Sequence, residues 1–74
     1  MNKIRRAKLK NAIKLIDEAR DIIDDVRDDE SDSLSNIPES FENTERYEQM
    51  EFAIDSMEDA SENCSVAINC LEGL

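Results

Sequence analysis

The chain has 74 residues, of which nineteen are acidic, nine are basic and none is histidine, so its formal net charge is −10. A chain of this length forms one small domain with a modest core, which often needs a second copy or a covalent link for stability. The lack of histidine excludes the usual general base and most zinc sites. One glycine, one proline and many alanine, isoleucine and charged residues predict an all-α protein.

The first predicted helix covers about residues 3–29. Its apolar residues repeat at intervals of seven and occupy one broad face. Ile13 falls outside this face, and we expect it to be exposed. The apolar residues are Leu9, Ala12, Leu15, Ile16, Ala19, Ile22, Ile23 and Val26, and an acidic group on the opposite side consists of Asp17, Asp21, Asp24 and Asp28.

Residues 30–43 are predicted to connect this helix to a second one. A cluster of serine and aspartate ends the first helix, and Asn36 and Pro38 are typical turn residues. Pro38 can open a helical turn over residues 38–42. The second helix runs from about residue 44 to 72, where Gly73 ends it. Two helices of about 40 and 43 Å joined by one connection predict an antiparallel α-hairpin.

The second helix carries the clearest pattern in the chain. The first position of each heptad is Met50, Met57, Cys64 or Leu71, and the fourth position is always alanine, namely Ala53, Ala60 and Ala67. A seven-residue apolar repeat favours lengthwise packing in a left-handed supercoil. Small alanine side chains allow the partner helix to approach closely. The sequence therefore predicts that this helix packs along its length against another.

Three further residues of the second helix, Phe52, Val66 and Cys70, lie near one another but outside this stripe. A single hairpin would leave them exposed. We therefore expect two hairpins to form a homodimeric four-helix bundle, with these residues in the dimer interface. Cys64 is expected to be a small buried hydrophobic residue, while Cys70 is either an interface residue or an exposed thiol.

Charge is distributed unevenly along the chain. Residues 1–14 contain six basic residues and no acidic one, whereas residues 15–74 have a net charge of −16. Without interleaved aromatic residues, and with so negative a remainder, direct binding of nucleic acid is not favoured. We expect these bases to pair with acids on the second helix or on a second subunit. The basic end comprises Lys3, Arg5, Arg6, Lys8 and Lys10.

An acidic group on the second helix is the more specific signal. Its residues lie within an arc of about 80° and rise by about 4.5 or 6 Å at each step. DNA presents regularly spaced phosphates, so such a row of carboxylates can occupy the same basic groove. A solvated helix surface explains the same residues equally well. The group consists of Glu48, Glu51, Asp55, Glu58 and Glu62.

No pattern indicates an enzyme, a metal site or a cofactor. A di-metal helical bundle would need Glu-x-x-His, and the acidic run 24–32 lacks the central glycine of a calcium loop. Phosphate-binding loops and nucleophile elbows are absent as well. No apolar run suits a membrane span or a signal peptide. We therefore expect a cytoplasmic protein with no membrane partner and with reduced cysteines.

Two short motifs, Asn36-Ile-Pro-Glu-Ser and Thr44-Glu-Arg-Tyr-Glu-Gln-Met-Glu, resemble small acidic proteins of phages and prophages of Gram-positive bacteria. These proteins share a first helix that runs from basic to acidic and heptads rich in glutamate and alanine. The chain departs from them at Tyr47, where a small residue is expected, and at its two cysteines. The resemblance implies a phage accessory or counter-defence role and supplies no mechanism.

Three functional hypotheses follow. In the first, a phage-derived inhibitor uses its acidic surface as a nucleic-acid mimic to block a basic host protein, such as one acting in defence. In the second, the chain is a structural coiled-coil module whose charges provide solubility. In the third, a bundle sequesters a small ligand between subunits. The first is favoured, and it requires a basic protein partner whose affinity depends on salt.

Overall fold

The computed structural model describes all 74 residues, which form two long antiparallel helices joined by a short connection. Helix α1 spans Lys3–Ser35 and helix α2 spans Glu45–Glu72, with one 3-10 turn at Glu39–Phe41 between them. The hairpin is a rod of 59 × 15 × 13 Å. This architecture confirms the predicted all-α helical hairpin. Neither helix contains an apolar stretch of the length that a membrane span requires.

Polar residues satisfy the backbone groups at both helix starts. The Asn2 side chain accepts a hydrogen bond of 2.8 Å from the Arg5 amide, and Thr44 Oγ1 accepts one of 3.3 Å from the Tyr47 amide. The free amides of a first helical turn have no partner within the helix, so these side chains stabilise the ends. Gly73 follows α2, as the sequence predicts.

Helix α1 continues six residues beyond the predicted end at residue 29. The serine and aspartate cluster that was expected to stop it contains neither glycine nor proline, and Leu34 within it and Ile37 just after it are half-buried. Burial of these apolar side chains outweighs the modest helix propensity of serine and aspartate. The connection is correspondingly shorter, and Pro38 opens the 3-10 turn within the predicted range 38–42.

The two helices contact each other along a heptad seam. We number α1 so that Ile13 is an a position and α2 so that Ile54 is one; every other position follows from the seven-residue repeat. Only Ile68 is buried, with 7% of its surface exposed, and the other apolar seam residues are half-buried. The apolar seam residues are Leu9, Ile13, Ile16, Ile23 and Leu34 of α1 and Met50, Ile54, Met57, Cys64, Ile68 and Leu71 of α2.

The seam uses only half of the apolar face predicted for α1. Leu15, Ile22 and Val26 are 57%, 65% and 49% exposed. Ile13, which was expected to be exposed, is half-buried in the seam. The prediction was wrong at these four residues because one partner helix covers a narrow strip, whereas the apolar residues of α1 span a broader arc. The remainder of that arc stays open to solvent.

Candidate functional site

Polar side chains occupy the middle of the seam. Arg20 lies one heptad after Ile13, with its side chain 28% exposed. Its guanidinium donates a hydrogen bond of 3.0 Å to Ser65 Oγ on α2 and forms an ion pair with Asp17. The apolar pattern did not identify Arg20 as a seam residue. Its seven-residue spacing from Ile13 was the available signal.

A second arginine repeats this arrangement one heptad later. Arg27 pairs with Asp24 at 3.3 Å and with Asp28 at 3.1 Å. The hydrogen bond to Asp28, together with the charges of Asp24, Asp28 and Glu58, raises the pKa of Arg27 above its ordinary value. Asp24 Oδ1 also accepts a hydrogen bond of 2.6 Å from the Ser61 hydroxyl. Arginine, aspartate and serine therefore form a polar layer that links α1 to α2.

This layer brings the two predicted acidic groups onto one side of the hairpin. Ser65 and Glu58, one heptad apart on α2, both face the arginines of α1. The other acids of the α2 group lie within the same arc as Glu58. We call the combined surface the acidic face. It consists of Asp17, Asp21, Asp24 and Asp28 from α1 and Glu48, Glu51, Asp55, Glu58 and Glu62 from α2.

The two halves of the acidic face differ in the exposure of their carboxylates and in the ion pairs that they form. Asp17 and Asp24 lie half-buried at the edge of the seam, although the sequence had placed them opposite the apolar stripe. Together with Asp28 they are paired with arginines. All five acids of the α2 group are exposed, and none forms an ion pair. Within the acidic face the unpaired negative charge is thus concentrated along α2, and Asp21 is the one unpaired acid of the α1 half.

The basic end lies at one end of the rod, and the connection between the helices lies at the other. All five of its residues are exposed, and all three ion pairs of the chain involve Arg20 or Arg27. The bases therefore have no carboxylate of their own chain within 4.0 Å. The alternative in which they pair with α2 of the same chain is not seen. The rod carries positive charge at one end and negative charge over the rest.

An open groove of about 610 Å³ lies at this basic end. Leu9, Ile13 and Leu71 contribute apolar side chains to it, and Lys3 and Arg6 contribute positive charge. The groove belongs to a single hairpin and lies beside both chain termini, so it differs from the ligand site between subunits considered above.

The side of the hairpin opposite the acidic face carries small and apolar residues. Phe52 and Val66, predicted to lie in a dimer interface, are 74% and 53% exposed on the outward surface of α2, between this side and the acidic face, and Cys70 is an exposed free thiol. We call this surface the alanine face. It consists of Ala12, Leu15, Ala19, Ile22 and Val26 from α1 and Ala53, Ser56, Ala60, Asn63, Ala67 and Cys70 from α2.

No group of three or more cysteine, aspartate or glutamate side chains is arranged to hold a metal ion. Comparison of the chain with protein-family models, with curated proteins and with solved structures finds no match.

Proposed function

We propose that the chain is a non-enzymatic binding protein whose acidic face occupies a basic groove that normally holds nucleic acid. The observation that carries the proposal is the gathering of nine acidic residues from two helices on one side of the rod. Six of these residues, Asp21 and all five on α2, are exposed and free of ion pairs. A partner can therefore engage them without first breaking contacts within the hairpin.

Spacing supports the comparison with nucleic acid. From Glu48 to Glu62 the carboxylates of α2 extend over about 21 Å, with one charge every 4.5 or 6 Å. The phosphates of one DNA strand follow each other at about 3.4 Å along the helix axis, so the carboxylate row is sparser than a DNA strand but has spacings of the same order. Lysine and arginine side chains that are placed to bind phosphates can then reach carboxylates of the rod.

Binding of this kind depends on the whole set of charges. Each exposed ion pair contributes little, and salt screens it over about 8–10 Å. A row of like charges instead creates a field that steers a positively charged partner and raises its association rate. The affinity should therefore fall steeply as salt is added.

The resemblance to short acidic phage and prophage proteins supplies the setting. The partner is a basic protein of the bacterial cytoplasm that binds nucleic acid, such as one acting in defence, and the hairpin inhibits it by competition. A purely structural coiled-coil module would need only self-association. It would show no salt-sensitive affinity for a basic protein.

The experiment has two stages. Capture from bacterial lysate at low and high salt first identifies a basic partner that is released by salt. Binding of the purified partner is then measured with a variant in which all five acids of the α2 group are changed to Gln or Asn. We expect binding to be lost while the helical content is retained, because glutamine is a good helix former and the change relieves like-charge repulsion. Short duplex DNA should compete with the wild-type chain.

A control variant carries the same charge change at exposed acids away from the acidic face. Suitable positions are Glu18, Asp25, Asp32, Glu39 and Glu42. This control should keep most of the affinity, because its acidic face is intact. Equal loss in both variants would mean that net charge alone attracts the partner, and undiminished binding of the first variant would exclude the acidic face.

A further inference from the structure

We infer that the alanine face is the interface of a homodimer in which two hairpins pack face to face and point in opposite directions. The inference concerns the side of the rod away from the acidic face, and it holds whether or not the acidic face has a partner. Three observations carry it: the lack of buried surface in one hairpin, the absence of charge across the alanine face, and the opposite charges at the two ends of its α1 half.

One hairpin buries too little surface for a chain of this size. Its accessible area is 5775 Å², whereas a compact monomer of this mass exposes about 4,700 Å². The excess of roughly 1,100 Å² is similar to the area of about 800 Å² that one partner contributes to a stable interface. Its radius of gyration of 17.1 Å likewise exceeds the value of about 11 Å expected for a compact domain. A second copy would bury this excess of exposed area.

The alanine face has the composition of such an interface. None of the residues that make up the alanine face is charged, neither those of α1 from Ala12 to Val26 nor those of α2 from Ala53 to Cys70. Leu15 and Ile22 project from its α1 half and are more than half exposed. The small alanines along α2 allow a second pair of helices to approach closely. Large apolar side chains beside small ones suit interlocking helix packing.

Charge at the two ends of the α1 half of the face favours a second copy in the antiparallel orientation. The helical positions of α1 that carry the face continue to Arg5 and Lys8 at one end and to Asp29 at the other, and Asp32 lies next to them. The pattern along α1 is therefore basic, apolar and then acidic, centred near Ala19. Turning one copy around a two-fold axis beside Ala19 lays its basic end on the partner's acidic end.

In this arrangement α1 of one copy lies against α1 of the other. Leu15 comes beside the partner's Ile22, and Lys8 comes beside the partner's Asp29. The parallel orientation instead places the two unpaired basic ends side by side. Of the bases that lack a carboxylate within their own chain, Arg5 and Lys8 thus come close to carboxylates of the partner in the antiparallel dimer.

The first test is the oligomeric state in reducing buffer, measured by sedimentation equilibrium from about 1 to 100 µM. We expect wild type to have twice the chain mass of 8.5 kDa. Ile22→Lys should weaken the dimer at least tenfold, because it places a charge within the uncharged face. Asp21→Lys introduces a lysine at the adjacent residue, which lies on the acidic face, and should leave the dimer intact. A monomeric wild type, or equal effects of the two variants, would overturn the inference.

A charge exchange tests the orientation even if Ile22→Lys impairs folding. Lys8→Asp and Asp29→Lys should each weaken the dimer about tenfold, and the double variant, which has the net charge of wild type, should restore it. The control exchange, Lys14→Asp with Asp21→Lys, alters charges outside the interface and should change nothing. In a parallel dimer residues 8 and 29 are about 32 Å apart along the axis, too far to compensate each other. Additive losses in the double variant would therefore contradict the antiparallel arrangement.

Discussion

Ser61 and Asp24 are joined across the hairpin by a hydrogen bond of 2.6 Å, which the serine hydroxyl donates to Oδ1 of the carboxylate. Ser61 occupies a seam position between Ile54 and Ile68, where an apolar residue would ordinarily pack. Asp24 also pairs with Arg27. This hydroxyl, together with that of Ser65, therefore ties the polar layer of α1 to α2.

Ser61→Ala should lower the free energy of unfolding by about 1 kcal/mol, the typical contribution of a hydrogen bond. Urea denaturation followed by circular dichroism measures it. Alanine is also the better helix former, so the matched control is Ser31→Ala at an exposed position of α1. If Ser61→Ala is no less stable than this control, the bond to Asp24 contributes nothing.

Arg27→Gln should destabilise the hairpin most strongly at low salt. Arg27 lies near three carboxylates, those of Asp24, Asp28 and Glu58, and its removal leaves them to repel one another. Because added salt screens this repulsion, the difference in melting temperature from wild type should shrink as sodium chloride is raised from about 10 mM to 1 M. A difference independent of salt would indicate that the loss comes from packing of the arginine stem instead.

Thr44→Ala should cost about 1 kcal/mol because it removes the side chain that caps α2. The Thr44 hydroxyl accepts from the Tyr47 amide and also donates to the Phe41 carbonyl oxygen at 2.8 Å, so it joins the 3-10 turn to the helix. Thr44→Ser keeps the hydroxyl and should stay close to wild type. Thermal unfolding of the three proteins distinguishes loss of the cap from loss of the methyl group.

Ile13 and Leu15 should respond differently to protein concentration. Ile13 is half-buried in the seam of one hairpin, so Ile13→Ala should lower the melting temperature at every concentration. Leu15 is 57% exposed, so Leu15→Ala should lower the melting temperature only at concentrations where the antiparallel dimer forms. The dimer of this variant should dissociate at a higher protein concentration than that of wild type. Equal destabilisation by Leu15→Ala at the highest dilution would place Leu15 within the seam.

The sequence by itself determined the hairpin. The heptads of α2, the lack of glycine and proline within the helices and the turn residues around Pro38 each act through local conformational preference or simple periodicity. These signals need no knowledge of the partner helix. The start of α2 beside Thr44 and its end at Gly73 were accordingly predicted within one residue.

Only the tertiary structure decided which strip of α1 faces α2. The apolar arc of α1 is wider than one partner can cover, so its periodicity fits both a seam through Leu15 and one through Ile13. Contacts across the hairpin distinguish the two, because the seam that contains Ile13 lets Arg20 reach Ser65 and lets Asp24 reach Ser61. Those pairings join residues far apart in the chain. They also determine that the acids of both helices lie on one side and the alanine face on the other.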